Sequence, residues 1–229
     1  MRFRKELTLQ LSEIKKGIDS NVNIFGQGRQ TLYVKLAGCN LNCVYCDAQK
    51  LQNKNAGYRT LVKNVVKEVL KAGTKNLTIT GGEPLLQSKS LLDLLYRLPR
   101  GYKINIETNG TYNIWLGYFK WALVNVKHRI SFTMSYNINN IERICRKNFM
   151  YLTDNDVCKI MVPSPEMIEF ACKTAKTIRG YSKRVKIAIS PCFSSDYCIE
   201  CFSKDIIKKI NEQNLDVVFN IQINNLINL

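Results

Sequence analysis

The sequence predicts an α/β protein built as a complete or partial α/β barrel of about six parallel strands, and three observations carry that expectation. Short apolar runs rich in β-branched residues alternate with helical patterns at intervals of about 25 to 35 residues, the spacing of βα units. The strand runs are nearly continuous in apolar residues, as parallel strands covered on both faces would be. The conspicuous polar motifs follow strand runs, and a barrel gathers its chemistry at the C-terminal strand ends.

Taken in order, TLYVKLA (31–37) reads as a strand and LVKNVVKEVL (61–70) as a helix with Leu61, Val65 and Val69 on one face. Gly73 can stop that helix. NLTIT (76–80) is the next strand, SLLDLLYRL (90–98) the next helix, and Pro99 with Gly101 punctuates before the strand YKINIET (102–108). WALVNV (121–126), DVCKIMV (156–162), RVKIAIS (184–190) and LDVVFNIQI (215–223) continue the strands, with helices expected over 138–147, 165–178 and 203–213. GCNLNC follows the first strand, GGEP the second, and ETNG closes the third. Neither a linker nor an internal repeat divides the chain, so residues 1–229 are expected to form one domain, with a cysteine loop at 38–50.

The 45% hydrophobic and 10% aromatic content is that of a globular protein, and the longest apolar runs are too short to cross a bilayer. MRFRKELTLQLSEIKK lacks the apolar core and cleavage site of a secretory signal, so a cytoplasmic location is expected. Lys and Arg number 34 against 18 acidic residues, a net charge of +16 that attracts anions of any kind. The basic residues are spread along the chain without an RNA-binding signature. A solvated basic surface is therefore the reading, and direct nucleic-acid binding is not expected.

Nine cysteines in a reducing compartment point to metal ligands, reactive thiols or small buried residues rather than disulfides. Cys145, Cys158 and Cys172 are solitary and read as structural. Cys39, Cys43 and Cys46 fall within GCNLNCVYCDAQ (38–49). A closed zinc site would want a fourth soft ligand, and the single histidine, His128, is distant in sequence. Three thiolates suffice for a 4Fe-4S cluster whose fourth iron is left to an exogenous ligand. Gly38 permits an unusual turn before them, and Asn40 and Asn42 can brace the loop.

The C-x3-C-x2-C spacing, with Tyr45 before its last cysteine, resembles the signature of the radical S-adenosylmethionine enzymes. GGEP (81–84) is similar to the motif with which that superfamily holds the methionine end of its cofactor. The resemblance implies a partial barrel of the radical S-adenosylmethionine type, a 4Fe-4S cluster on Cys39, Cys43 and Cys46, and S-adenosylmethionine on the open iron, cleaved by one electron to a 5'-deoxyadenosyl radical. LSEI near the start, GRQTLYVKLAGCNLNCVYCDA, TGGEPLLQ (80–87) and ETNGT (107–111) narrow the resemblance to the 7-carboxy-7-deazaguanine synthases, which make the precursor of the tRNA nucleosides queuosine and archaeosine. It is strong over 29–111, with later echoes in VNVKH (124–128) and DVCKIMV.

That family converts 6-carboxy-5,6,7,8-tetrahydropterin to 7-carboxy-7-deazaguanine by radical ring contraction with loss of ammonia, a lyase reaction. The resemblance implies a homodimer and a flavodoxin- or ferredoxin-like electron donor. It sets Tyr45 against the adenine, Gly81, Gly82 and Glu83 around the methionine, and Thr80 toward the substrate. Glu107 and Asn109 would line the cavity, Lys127 would contact an anion of cofactor or substrate, and Pro191 would help close the pocket. Departures accompany it. The family's QGEG segment is absent from GIDSNVNIFGQG, and Lys35 replaces an arginine that grips the substrate carboxylate. Ala48 replaces a threonine that helps hold magnesium, so either Asp47, the substrate and water suffice for that metal, or magnesium is absent, or the chain acts on a different substrate.

PCFSSDYCIECF places Cys192, Cys198 and Cys201 after a later strand, a set that could hold a second metal or cluster or remain a loop of reduced thiols. The rival expectations are a glycyl-radical-enzyme activating protein, a radical enzyme acting on another small molecule, and a zinc or nucleic-acid-binding module.

Overall fold

A computed structural model describes residues 6–114, 128–193 and 196–227, and these fall into two compact units whose segments alternate along the chain. The first comprises Met1–Ile18, Gln30–Glu107 and Ile114–Ile130, the second Asp19–Arg29, Thr108–Asn113 and Ser131–Leu229, each as far as it is described.

The first unit opens with an antiparallel edge that the sequence reading passed over. Strand β1 (Thr8–Ile18) pairs antiparallel with β2 (Gln30–Leu36) and with β3 (Tyr58–Leu61). Helix α1 (Val62–Lys71) buries Val62, Val65, Val66 and Val69. Strand β4 (Asn76–Gly81) lies parallel to β2, and β5 (Lys103–Thr108) parallel to β4. Between them α2 (Ser88–Arg97) buries Leu91, Leu94 and Leu95. All these parallel elements lie within two residues of their expected bounds.

The parallel strands do not carry apolar residues on both faces, contrary to expectation. Side chains alternate along a strand. On β2, β4 and β5 the apolar row is Leu32, Val34, Leu36, Leu77, Ile79, Ile104 and Ile106, all at most 2% exposed. The opposite row carries Thr31, Lys35, Thr78, Thr80, Asn105 and Glu107.

The second unit repeats this arrangement. Strand β6 (Arg129–Asn137), whose greater part lies in it, pairs parallel with β7 (Val157–Val162). After a one-turn helix α3 (Asn148–Tyr151) and strand β7 come helix α4 (Ile168–Tyr181) and β8 (Lys186–Pro191), parallel to β7. Helix α5 (Ile199–Glu212) leads to the short β9 (Val218–Phe219), parallel to β8, and then helix α6 (Ile223–Ile227). Phe132, Met134, Cys158, Ile160, Ile187 and Ile189 form the apolar row. Ser131, Thr133, Ser135, Lys159 and Ser190 stand on the other.

Three expectations change here. Residues 138–147 form a 3-10 segment, Ile138–Arg143, broken at Asn140, rather than a helix. The last strand is two residues long instead of nine, because the Asn220 side chain is committed to Val22 N–H and Ser190 Oγ and the chain then turns into α6. The strand β6 is added, while the one expected over 121–126 lies outside the described residues. Among the described residues no helix is long and apolar enough to cross a membrane.

Candidate active site

The cysteine loop leaves β2 at Gly38, whose φ of +97° places it in the left-handed region that glycine enters freely. Gly38 N–H donates to Leu51 O (2.8 Å) and Cys39 N–H to Gln52 O (2.9 Å), which closes the loop on its own far end. Inside it, Gln52 Nε2 donates to Cys43 O (3.0 Å) and Gln49 Nε2 to Val44 O, so two glutamines absent from the sequence reading brace the turn. Cys39, Cys43 and Cys46 are half-buried and in no disulfide. Burial pushes the Cys46 thiol above its ordinary pKa, opposed by a hydrogen bond from the Ala48 backbone; Asp47 and Cys39 are near enough to add to the rise. Tyr45 is half-buried and Asp47 exposed.

GGEP is bound to this loop through its backbone. Gly82 N–H donates to Leu36 O (2.7 Å) and Glu83 N–H to Gly38 O (2.8 Å). A Cβ on Gly81, itself at φ +113°, would lie 2.2 Å from Leu36 O, and one on Gly82 would lie 2.1 Å from Gly38 O. The two glycines are thus required by the close approach of β4 to the cysteine loop, a reason the motif alone does not give. Glu83 is fully buried and its carboxylate accepts from Leu85 N–H (2.9 Å), capping the 3-10 turn Pro84–Gln87. Gln87 extends the clasp, accepting from Gln10 N–H (2.7 Å) and donating to Ala37 O (3.2 Å).

On the polar row of the same sheet, Thr80 Oγ1 donates to Glu107 Oε2 at 2.6 Å. Lys35 is the register partner of Thr80, and its ammonium pairs with Glu13 at 2.6 Å. A pocket of about 510 Å³ opens between Gln10, Gly38, Lys54, Arg59 and Gln87, and the three thiols do not line it. His128 serves the scaffold: Nδ1 accepts from Tyr102 N–H (3.4 Å) and Nε2 donates to Leu95 O (3.0 Å). Lys127 lies outside the described residues.

In the second unit, Asn109 Oδ1 accepts from Thr111 N–H (3.0 Å) and Thr111 Oγ1 (2.8 Å), closing an Asx turn. Asn148, fully buried, donates to Gly110 O (3.0 Å) and Tyr112 O (2.8 Å) and fixes that turn from across the unit. Pro191 is buried at the end of β8. Cys192 is buried beside it, while Cys198 and Cys201 are exposed at the start of α5 and in contact with each other. The Cys201 backbone and thiol hold Cys198 below the ordinary thiol pKa, and the same contact raises Cys201.

Among the described residues no three His, Cys, Asp or Glu side chains are gathered around a single-ion position. For the loop at 39–46 this is compatible with an iron-sulfur cluster, whose irons hold their thiolates farther apart than one ion does. The donor set fits that group: three thiols, none in a disulfide, on one hydrogen-bonded loop.

Comparison with known proteins defines the class first. Residues 33–123 match the model of the radical SAM superfamily, and this is a radical S-adenosylmethionine enzyme, a class that works with a 4Fe-4S cluster and S-adenosylmethionine. The fold agrees: SuiB of Streptococcus suis, bound to its precursor peptide SuiA, superposes with a TM-score of 0.54 at 14% identity over 80% of this chain and 46% of that one. The chain thus spans about half the length of SuiB.

The particular family follows from the curated relatives. The 7-carboxy-7-deazaguanine synthase of Clostridium acetobutylicum is 34% identical over 93% of this chain and 94% of the relative. That of Methanospirillum hungatei is 30% identical over 74% and 68%. The chain belongs to the 7-carboxy-7-deazaguanine synthase family, enzymes of lyase type. This membership sets aside the zinc or nucleic-acid-binding module and the activating-enzyme expectation.

Proposed function

We propose that the protein converts 6-carboxy-5,6,7,8-tetrahydropterin to 7-carboxy-7-deazaguanine with loss of ammonia. The atoms balance, since substrate and product differ by one ammonia, and S-adenosylmethionine is regenerated. The observation that carries the reading is the Thr80–Glu107 hydrogen bond on the polar row directly preceding GGEP. Cys39, Cys43 and Cys46 would hold the cluster and the GGEP turn the S-adenosylmethionine, which together would supply hydrogen-abstraction chemistry at the substrate.

Cys39, Cys43 and Cys46 hold the cluster. Gly81, Gly82 and Glu83 keep their loop in shape and present backbone to the methionine end of the cofactor, and Tyr45 packs against its adenine. Glu107 accepts from the N–H groups on the pyrimidine edge of the pterin, an edge that offers adjacent donors to one carboxylate. Thr80 holds that carboxylate in place. Magnesium, where used, has the exposed Asp47 carboxylate, because Ala48 brings no side-chain oxygen.

The working protein is taken as one cytoplasmic domain that dimerises, and the net charge of +16 supports an acidic flavodoxin- or ferredoxin-like carrier as its source of electrons. The test is anaerobic incubation of reduced, cluster-loaded protein with the carboxytetrahydropterin, followed by mass spectrometry. The deazaguanine acid is expected, and absent from Cys43→Ala. Cofactor cleavage without that product would overturn the substrate.

A further inference from the structure

Two thiols outside the cysteine loop stand together on the surface of the second unit. Cys198 and Cys201 are exposed, whereas Cys192 of the same segment is 2% exposed. Cys198 is the N-cap of helix α5, and its Sγ accepts from Cys201 N–H at 3.4 Å, the bond that a serine or aspartate usually makes at that place. The two cysteines are one turn apart at the helix start, a separation that a disulfide spans. Sulfur is a weak acceptor, so capping alone does not account for a cysteine here.

The mounting of the pair is firm. Phe202, the residue after Cys201, is 1% exposed, and its ring meets that of Tyr197, the residue before Cys198, edge-on at 4.8 Å. Tyr197 Oη lies within hydrogen-bond distance of Pro163 O, just past β7, and of Cys192 O (3.1 Å), just past β8. Phe202 N–H donates to Cys198 O (3.0 Å) and Ser203 Oγ to Ile199 O (2.6 Å), which sets the first turn. Glu200, between the two cysteines, is paired with Lys204 at 2.6 Å, which offsets its repulsion of a neighbouring thiolate. Among the described residues no third Cys, His, Asp or Glu joins the two thiols around a single-ion position. The Cys201 N–H that faces Cys198 Sγ favours its thiolate, in line with the lowered Cys198 and raised Cys201 pKa described above.

We propose that Cys198 and Cys201 form a thiol–disulfide exchange site for low-molecular-weight disulfides, with Cys198 as the attacking thiol and Cys201 as the resolving one. The Cys198 thiolate attacks one sulfur of the small disulfide, forms a mixed disulfide and releases the other half as a thiolate. Cys201 then loses its proton to water, attacks the Cys198 sulfur and releases the second half, which leaves the Cys198–Cys201 bond. The pair gives up two electrons and two protons, and the small disulfide becomes two thiols; a small dithiol runs the exchange backwards. The site needs neither cluster nor cofactor and is independent of the reaction proposed above.

The test places the anaerobic, cluster-loaded full chain in glutathione buffers from fully reduced to fully oxidised. Acid quenching, alkylation and mass spectrometry then read the tryptic peptide 187–204, which carries Cys192, Cys198 and Cys201. A Cys198–Cys201 disulfide, with Cys192 alkylated, is expected to accumulate as oxidised glutathione replaces reduced, and dithiothreitol is expected to remove it. At an exposure that half-oxidises the wild type, Cys201→Ser is expected to trap glutathione on Cys198 at least about tenfold more than Cys198→Ser traps it on Cys201. Should either variant fail to fold, iodoacetamide labelling of the wild type decides the order of attack: Cys198 is expected to react at least about tenfold faster than Cys201, and equal rates overturn the assignment. A pair that stays reduced throughout, a bridge to Cys192 or to a second chain, equal trapping in the two variants, or thiols that resist alkylation until a chelator strips a metal from them overturns the proposal.

Discussion

At Gly82 a single methyl group decides whether the cysteine loop can sit against β4. Gly82→Ala puts a carbon 2.1 Å from Gly38 O, where neither backbone can yield without breaking the Glu83–Gly38 bond. Anaerobic reconstitution of Gly82→Ala is expected to recover less than about half the wild-type iron, against full loading for Gly73→Ala. Gly73 has φ +72° but nothing within 4 Å of its Cβ position, so that variant costs about 1 kcal/mol in a urea titration. Thr80→Val removes the donor to the Glu107 carboxylate, and kcat/KM for the pterin is expected to fall about ten- to a hundredfold, with Thr80→Ser restoring most of it. The identities of these residues were legible in the sequence as motifs. Their physical reasons were not: Gly81 and Gly82 make room for a neighbouring backbone, and Lys35 is engaged by Glu13, a partner set by strand register.

Elements show where sequence patterns reach and where they stop. The parallel strands β2, β4, β5, β7 and β8 and helices α1, α2 and α4 were legible because their apolar rows are long enough to show a period. Strand β6 was not, since Ser131, Thr133 and Ser135 interrupt RISFTMSYN at every second position, the polar row of a half-apolar strand. Asp156 exemplifies what distant partners conceal. Just before β7, its carboxylate accepts from Phe132 N–H (2.9 Å), Thr153 N–H (2.9 Å) and Thr153 Oγ1 (3.0 Å), in a buried position. Asp156→Ala is expected to cost about 2–4 kcal/mol, read as a lower urea midpoint at unchanged slope.

His128 joins α2 to the start of β5 through Leu95 O and Tyr102 N–H. Burial lowers its pKa, with Leu95 opposing and Lys75 adding to the fall. The unfolded chain therefore takes up the proton first as pH drops. The stability contributed by neutral His128 is complete above the ordinary imidazole value of about 6.5 and is lost as pH falls through it. Melting curves between about pH 7.5 and 5.5 should show a decline that is shallower in His128→Gln.

For the whole molecule, 34 basic side chains against 18 acidic ones create a positive field that draws in an anionic protein from a distance. Electron delivery by an acidic carrier is expected to slow as ionic strength rises, whereas reduction by a small chemical reductant should change little; parallel assays of cofactor cleavage distinguish the two. The α/β class was legible at this scale from spacing alone. The interleaving of two units was not, because Asp19–Arg29 and Thr108–Asn113 join the second unit through bonds between residues 198 and 38 positions apart.

The amide ties from Gly82 and Glu83 to the β2–loop junction involve no thiol and no side chain. These ties do not run through the cysteines, so substituting all three is expected to leave the mounting of the loop on β4 in place. The mounting depends on Gly38, Gly81 and Gly82 staying bare of a side chain rather than on the side chains around the cluster.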